Sequence, residues 1–284
     1  MAAKNESHIG PKSRARLIVS RPSRRNDREG RRSGGFHARH APRPEGGLEW
    51  VWGRHAVEAA LANPRREQLA RLVLAPGRSV PSLRDLRPET TDPREIARLL
   101  PPGAVHQGFA LLAAPAGMAS LDEIASPAEG VILMLDQVTD PQNVGAILRS
   151  AAAFGAKGVV MQDRHAPPLS GALAKAAAGA ADVIPVVRAT NLSRALEHLA
   201  ELGWRSVGLS SHAEGALHEV LDGAPTVLVL GSEGEGLRRL VAEHCDAVAR
   251  IALAEAFESL NVASAAAVAL YQARLLARPL NPLP

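Results

Sequence analysis

Residues 131–161 read VILMLDQVTDPQNVGAILRSAAAFGAKGVVM. Val131–Leu135 and Gly158–Met161 are short apolar runs of the β type. Between them, Val144, Ile147, Leu148 and Ala151 recur at helical spacing and form one stripe. Asp140-Pro141 marks the helix start, an N-cap acceptor followed by proline at the first helical position. The pattern predicts a helix over Asn143–Phe154. Apolar strands alternating with a helix imply a parallel sheet covered on both faces.

The same rhythm continues downstream. Strands are expected at Val183–Val187, Arg205–Leu209, Val227–Leu230 and Ala247–Ile251. Helices are expected at Ser170–Ala178, Leu192–Leu202 and Arg238–His244, with a long last one from about Leu260 to Ala277. Upstream, residues 49–115 read as a small α/β unit. Its strands are Trp50–Gly53, Leu72–Ala75 and Gly108–Ala113, and its helices His55–Leu61 and Arg94–Leu100. Residues 116–128 read as a linker with a short helix at Leu121–Ala125, and residues 129–284 as the main domain. The fold class is α/β.

Composition narrows the function. Of 284 residues, 46% are apolar and 22% charged, the usage of an ordinary globular chain. No apolar run approaches the roughly 18 residues of a membrane helix. No apolar segment follows the basic N-terminus, so no secretory signal is expected and a cytoplasmic setting fits. The single cysteine, Cys245, rules out an internal disulfide framework and a multi-cysteine zinc site. The histidines lack metal-ligand spacing, so no metal is expected. Eight aromatics are too few for a base-stacking platform.

Charge is unevenly spread. The first 48 residues hold twelve Lys and Arg against four Asp and Glu, a balance of +8; the whole chain is +4, so the remainder carries −4. That segment is rich in proline and glycine and poor in large apolar residues. It reads as a disordered basic tail, suited either to loose phosphate contacts or to solubilising the chain.

In open α/β sheets ligands bind beyond the carboxyl ends of the strands. Three such segments stand out. In the first, Asp136–Ser150, Arg149 lies off the buried stripe one turn after Gly145, where its guanidinium can lean back over the glycine. Taken alone, Arg149 also fits a solvated surface arginine, and Asn143 a residue satisfying the first helical turn. The second, Gly231-Ser232-Glu233-Gly234-Glu235-Gly236, permits close backbone approach but is neither a dinucleotide fingerprint nor a P-loop. Its two glutamates disfavour phosphate; a tight strand-to-helix connection is the plain alternative. The third, Ile251–Val262, enters the last helix, and Ser259 or Asn261 fits an N-cap. A nucleotide-binding Rossmann enzyme is disfavoured, since Asp136–Asn143 contains no glycine.

In this order the three segments resemble the signature motifs of the SpoU/TrmH family of RNA ribose 2′-O-methyltransferases. Asp140-Pro141-Gln142-Asn143-Val144-Gly145-Ala146-Ile147-Leu148-Arg149 matches the first, Leu228–Leu237 the second, and Glu258-Ser259-Leu260-Asn261-Val262 the core of the third. Lys175–Ala180 also looks like a family segment. Gly53-Arg54-His55-Ala56-Val57 and His106-Gln107-Gly108 look like the family's small RNA substrate-binding domain. The chain departs from the pattern at Ala252, usually proline, and Glu255, usually glycine.

The resemblance implies a SPOUT-type parallel sheet with a C-terminal trefoil knot, a homodimer, and S-adenosylmethionine as methyl donor. It implies Gly231, Ile251 and Leu260 as cofactor contacts, and Asn143, Arg149, Glu233, Ser259 and Asn261 as the catalytic set. The implied reaction is a direct displacement by a ribose 2′-oxygen. In it Arg149 stabilises negative charge or holds a phosphate, because a guanidinium stays protonated. The domain pair looks most like that of an enzyme acting on a guanosine of large-subunit ribosomal RNA. Transfer RNA, or a ribosome-assembly factor without methylation, are the alternatives.

The tail reading has a direct test. Removing residues 1–47 is expected to leave cofactor affinity and the methylated nucleotide unchanged, while the fall of log K with log salt becomes shallower. Binding titrations at several salt concentrations check this; equal slopes for both chains mean a solubilising segment only.

Overall fold

The computed structural model describes residues 47–169, 172–254 and 256–276. The basic tail up to residue 46, the start of the helix expected from Ser170, Glu255 and residues 277–284 lie outside the described residues.

Two sheets organise the described chain. The smaller has the order β1-β4-β2-β3, formed by β1 (Glu49–Trp52), β2 (Leu69–Leu74), β3 (Glu89–Thr90) and β4 (Phe109–Ala113). β4 is antiparallel to both β1 and β2, and β3 runs parallel to β2. Helix α1 (Arg54–Ala62) covers one face, burying Val57, Ala60 and Leu61 against Leu72, Leu74 and Leu111. Helix α2 (Pro93–Leu99) covers the other, where Ile96 meets Val73 and Ala110. The side-chain period of two in β2 sends Leu72 and Leu74 one way and Val73 the other.

The larger sheet has six strands, all parallel, in the order β10-β8-β9-β5-β6-β7. They are β5 (Val131–Leu135), β6 (Gly158–Gln162), β7 (Val186–Ala189), β8 (Arg205–Leu209), β9 (Thr226–Leu230) and β10 (Ala247–Ala249). Leu133, Leu135, Leu228 and Leu230 face the layer of α4 (Pro141–Phe154), α5 (Ala172–Ala177) and α10 (Val262–Leu276). Ile132, Met134, Val227 and Val229 face α3 (Leu121–Ala125), α7 (Leu192–Glu201) and α9 (Arg239–Glu243). Burial on both faces is why these strands read as unbroken apolar runs. Trp204 is buried on the second face, its indole N–H donating to Ala125 O at 2.9 Å.

The chain winds outward from β5 through β6 to β7, then returns to build β8, β9 and β10 on the other side. The reversal falls between β5 and β9, which pair from Val131↔Thr226 to Leu135↔Leu230. This is a topological switch point, where such sheets hold ligands.

One sequence expectation is corrected. The apolar stretch at Val183–Val187 is not one strand, because a further helical turn, α6 (Ala180–Val183), occupies its start and β7 begins at Val186. Gly179, with φ +90°, opens this turn, and Ile184 N closes it on Ala180 O at 2.9 Å. Short apolar runs do not distinguish helix from strand. The two-residue β3 and the short α8 (Leu217–Val220) were also not anticipated, and the last helix begins at Val262. Among the described residues, no helix is long and apolar enough to cross a membrane.

Helix α4 is set at both ends: Asp140 accepts from Gln142 N and Asn143 N, and Gly155 closes the far end at φ +70°. Its middle is pressed against α5. A Cβ at Gly145 would lie 2.4 Å from the Ala176 Cβ and 2.8 Å from Ala177 N. Gly145→Ala is therefore expected to push α5 away and destabilise the fold by about 1–3 kcal/mol, read from urea unfolding.

Candidate active site

Three loops meet at the carboxyl edge where β5 adjoins β9. Asp136, directly after β5, is fully buried; its main-chain N donates to Leu230 O at 2.8 Å. Its carboxylate accepts from Arg238 N at 2.9 Å and from Arg238 Nε at 2.7 Å. The loop leaving β9 is thus anchored at its exit. It is also pinched at its neck, where Ser232 and Gly236 exchange N–H···O bonds of 3.1 and 3.0 Å. The tip carries Glu233, Gly234 and Glu235, with Gly234 at φ +88° and Gly236 at φ +68°.

Glu233 is the hub. Its Oε1 accepts from Asn143 Nδ2 at 3.1 Å, from Asn261 Nδ2 at 2.5 Å and from Val262 N at 3.4 Å. Asn261 Nδ2 also donates to Asn143 Oδ1 at 3.0 Å. The N-termini of α4 and α10 therefore converge on one carboxylate, where the helix dipoles and the Val262 N–H favour negative charge. The plain alternative for Asn261 holds as well: its Oδ1 caps α10, accepting from Ala263 N at 2.9 Å and Ser264 N at 3.3 Å. Glu233 Oε2 accepts no hydrogen bond among the described residues, which leaves an oriented acceptor facing solvent.

Of the expected catalytic set, the structure thus joins Asn143, Glu233 and Asn261. Ser259 and Arg149 are exposed, and neither hydrogen-bonds to this cluster. Arg149 makes no ion pair among the described residues. Gly145, one turn before it, packs against Ala176 of α5. Of the expected cofactor contacts, Gly231 directly follows β9, Ile251 follows β10 half-buried against the core, and Leu260 stands exposed before α10. The Cβ direction of Gly231 is filled by its own loop, 2.0 Å from Gly236 C, so this glycine serves the loop's closure.

Asp136 and Arg238 were missed by sequence reasoning. The available signal was an acid directly after a buried strand, which demands a paired donor. Cys245 is a structural residue. Its Sγ lies 3.3 Å from Val241 O, and burial pushes the thiol up to about 12, far from a reactive thiolate. Among the described residues, no group of three His, Cys, Asp or Glu can hold a metal ion.

The surroundings suit a ligand with both polar and apolar parts. At Gly234 and Gly236 a Cβ would meet nothing within 4 Å, so bare main chain borders open space. Leu253, Phe257 and Leu260, on the loop between β10 and α10, expose apolar surface. Bare backbone and exposed apolar side chains fit an adenosyl group carrying an amino-acid moiety.

Comparison with known proteins agrees with this reading. The SpoU rRNA methylase family matches residues 130–271, and the RNA 2′-O ribose methyltransferase substrate-binding family matches residues 50–119. The chain belongs to the SpoU rRNA methylase family. It is thereby an S-adenosylmethionine-dependent RNA 2′-O-methyltransferase. It is 40% identical over 241 residues to the 23S rRNA (guanosine-2′-O-)-methyltransferase RlmB of Pseudomonas syringae pv. tomato, spanning 80% of this chain and 95% of that protein. The RlmB of Pseudomonas aeruginosa is also 40% identical, over 79% of this chain and 95% of that one. Among solved structures, the SpoU methyltransferase AviRb of Streptomyces viridochromogenes, in complex with AdoMet, superposes with a TM-score of 0.64 at 25% identity, covering 82% of this chain and 92% of that one. An rRNA methyltransferase from Sinorhizobium meliloti gives 0.66 at 26% identity, over 81% and 87% of the two chains.

Glu233→Ala separates architecture from chemistry. Glu233 is exposed and water can replace the lost acceptor, so unfolding stability is expected to change by less than about 1 kcal/mol. Methyl transfer is expected to fall by about 100-fold or more, because Asn143 and Asn261 lose their common anchor. Urea titration and a radiolabelled methyl-transfer assay on one preparation check both.

Proposed function

We propose that the chain methylates the ribose 2′-hydroxyl of a guanosine in large-subunit ribosomal RNA, as the printed names of its RlmB relatives describe for those proteins. The observation that carries the site assignment is the three-way junction at Glu233. Side chains from positions 143, 233 and 261 meet there at the carboxyl edge of the sheet.

S-adenosylmethionine, when bound, supplies a sulfonium methyl group for in-line displacement. In this reading Gly231, Ile251 and Leu260 hold it, largely through main chain and apolar contact. Glu233 Oε2 and the amides of Asn143 and Asn261 orient the ribose hydroxyl, and Ser259 adds a further hydroxyl at the rim. Positioning of this kind supplies a large part of the rate in a displacement without covalent enzyme chemistry. Arg149 stays protonated, so it holds the neighbouring phosphate or stabilises the developing oxyanion, while the hydroxyl proton passes to Glu233 Oε2 or to water. Its exposed, unpaired state suits a group waiting for RNA.

The proposal includes the finer features of the family: a trefoil knot in the C-terminal part of the larger sheet, a homodimer, and a cytoplasmic setting. Exposed Val268, Tyr271 and Leu275 on α10 support the dimer, since they give the helix an apolar face beside the site. Residues 49–115 form the RNA substrate domain, 116–128 the linker and 129–284 the methyltransferase domain, with residues 1–48 as a basic tail that adds phosphate contacts.

The test is methyl transfer from labelled S-adenosylmethionine to a large-subunit rRNA transcript, with the modified nucleotide mapped. One 2′-O-methylguanosine is expected; transfer to tRNA alone overturns the substrate assignment. Arg149→Ala is expected to lose at least about 100-fold in transfer, while cofactor affinity by calorimetry stays within about twofold. Near-normal turnover overturns its role.

A further inference from the structure

A second polar cluster lies away from the junction, between the smaller sheet's helix α1 and the unforeseen turn α6. Arg66, just beyond α1, has a side chain only 2% exposed, and Asp182 on α6 only 4%. Arg66 donates from Nε to Asp182 Oδ1 at 2.6 Å and from a terminal nitrogen to Oδ2 at 3.0 Å. Asn63 Nδ2 donates to the same Oδ1 at 2.9 Å. The remaining guanidinium nitrogen donates to Glu49 Oε1 at 3.3 Å and to the Ala114 carbonyl, where the connecting segment leaves β4. Burial raises the Glu49 carboxyl above its ordinary range, and neighbouring Arg66 works against that rise.

The two parts also meet backbone to backbone. A Cβ on Gly179 would lie 2.9 Å from the Ala56 Cα and 3.3 Å from His55 O. The connecting segment is tied on both sides, Gly117 N to Arg65 O at 3.1 Å and Ala119 N to Val186 O at 2.9 Å. From α6 the contact path runs through α5 to Gly145 of α4, two residues from Asn143 and one turn from Arg149.

Adhesion alone does not call for this arrangement, since a buried ion pair is often no more stabilising than packed apolar residues. A two-toothed guanidinium–carboxylate pair with further donors satisfies its groups in one relative placement only. We infer that the Arg66–Asp182 pair is a specificity-determining latch: it fixes the small RNA-binding lobe at one distance and orientation from the Glu233 junction, and so decides which nucleotide receives the methyl group. Arg66 and Asp182 are positioning residues, acting through the lobe they hold. The inference rests on the ribosomal RNA methylation proposed above.

Asp182→Ala in the full chain tests it. The expected signature is S-adenosylmethionine affinity within about twofold of the parent, RNA affinity within about threefold, and a kcat about 10- to 100-fold lower. Methylation is expected at nucleotides neighbouring the normal one, with Asp182→Glu restoring part of the rate and the site choice. Gly179→Ala wedges the same interface with every charge kept, and is expected to show the same loss of site choice; it decides the matter if Asp182→Ala does not fold. Elastase cleavage within residues 114–119 of the RNA-free protein is expected to speed up in both variants. Parent-like site choice and rate in a folded variant overturn the latch, as does cofactor affinity falling in step with rate. A parent chain silent on the rRNA transcript overturns the substrate reading instead, and the elastase rates then decide the latch: unchanged cleavage overturns it.

Discussion

A carboxylate without solvent contact survives inside a protein only where donors surround it. Asp136 meets that demand at the end of the central strand, through the main chain and side chain of Arg238. Because β5 pairs with β9 up to Leu135↔Leu230, the acid stands beside the root of the glycine loop, and neutralising it fixes where that loop ends. The Ser232–Gly236 exchange fixes its neck. Glu233 at the tip finds the donors of two helix starts. Burial at the base thus becomes direction at the rim.

The two polar clusters solve different problems. The Glu233 junction is exposed and gains little stability from its hydrogen bonds, so its value lies in holding three side chains toward one point. The Arg66–Asp182 cluster is almost fully buried, where an imperfect arrangement leaves charge unpaired. One gathers polar groups at the rim of the sheet; the other satisfies its charges inside the contact between the two parts.

Much of the larger sheet was legible because strands buried on both faces are continuous apolar runs, and because Asp140-Pro141 announces a helix without ambiguity. Val131–Leu135 and Leu121–Ala125 fall where the pattern places them. The stretch around Val183 was not legible, since Asp182-Val183-Ile184 followed by proline carries no period that separates a helical turn from a strand. That turn holds Asp182, so the contact between the two parts was hidden with it. Asn143, Glu233 and Asn261 were legible through motif resemblance, but their meeting was not. Each also fits a local role, and Asn261 fills its local role of cap while joining the cluster. The close approach of Ala176 to Gly145 is a tertiary fact that helix geometry alone does not carry.

The members of the Glu233 junction lie far apart along the chain, Asn143 and Asn261 by 118 positions and Asn143 and Glu233 by 90. Contacts of such separation form late, since the intervening loop must close before they repay its entropy. During synthesis the smaller sheet, complete at Ala113, emerges long before α10, which carries the third arm. The nascent chain therefore completes the smaller sheet well before residues 143, 233 and 261 are all available to meet.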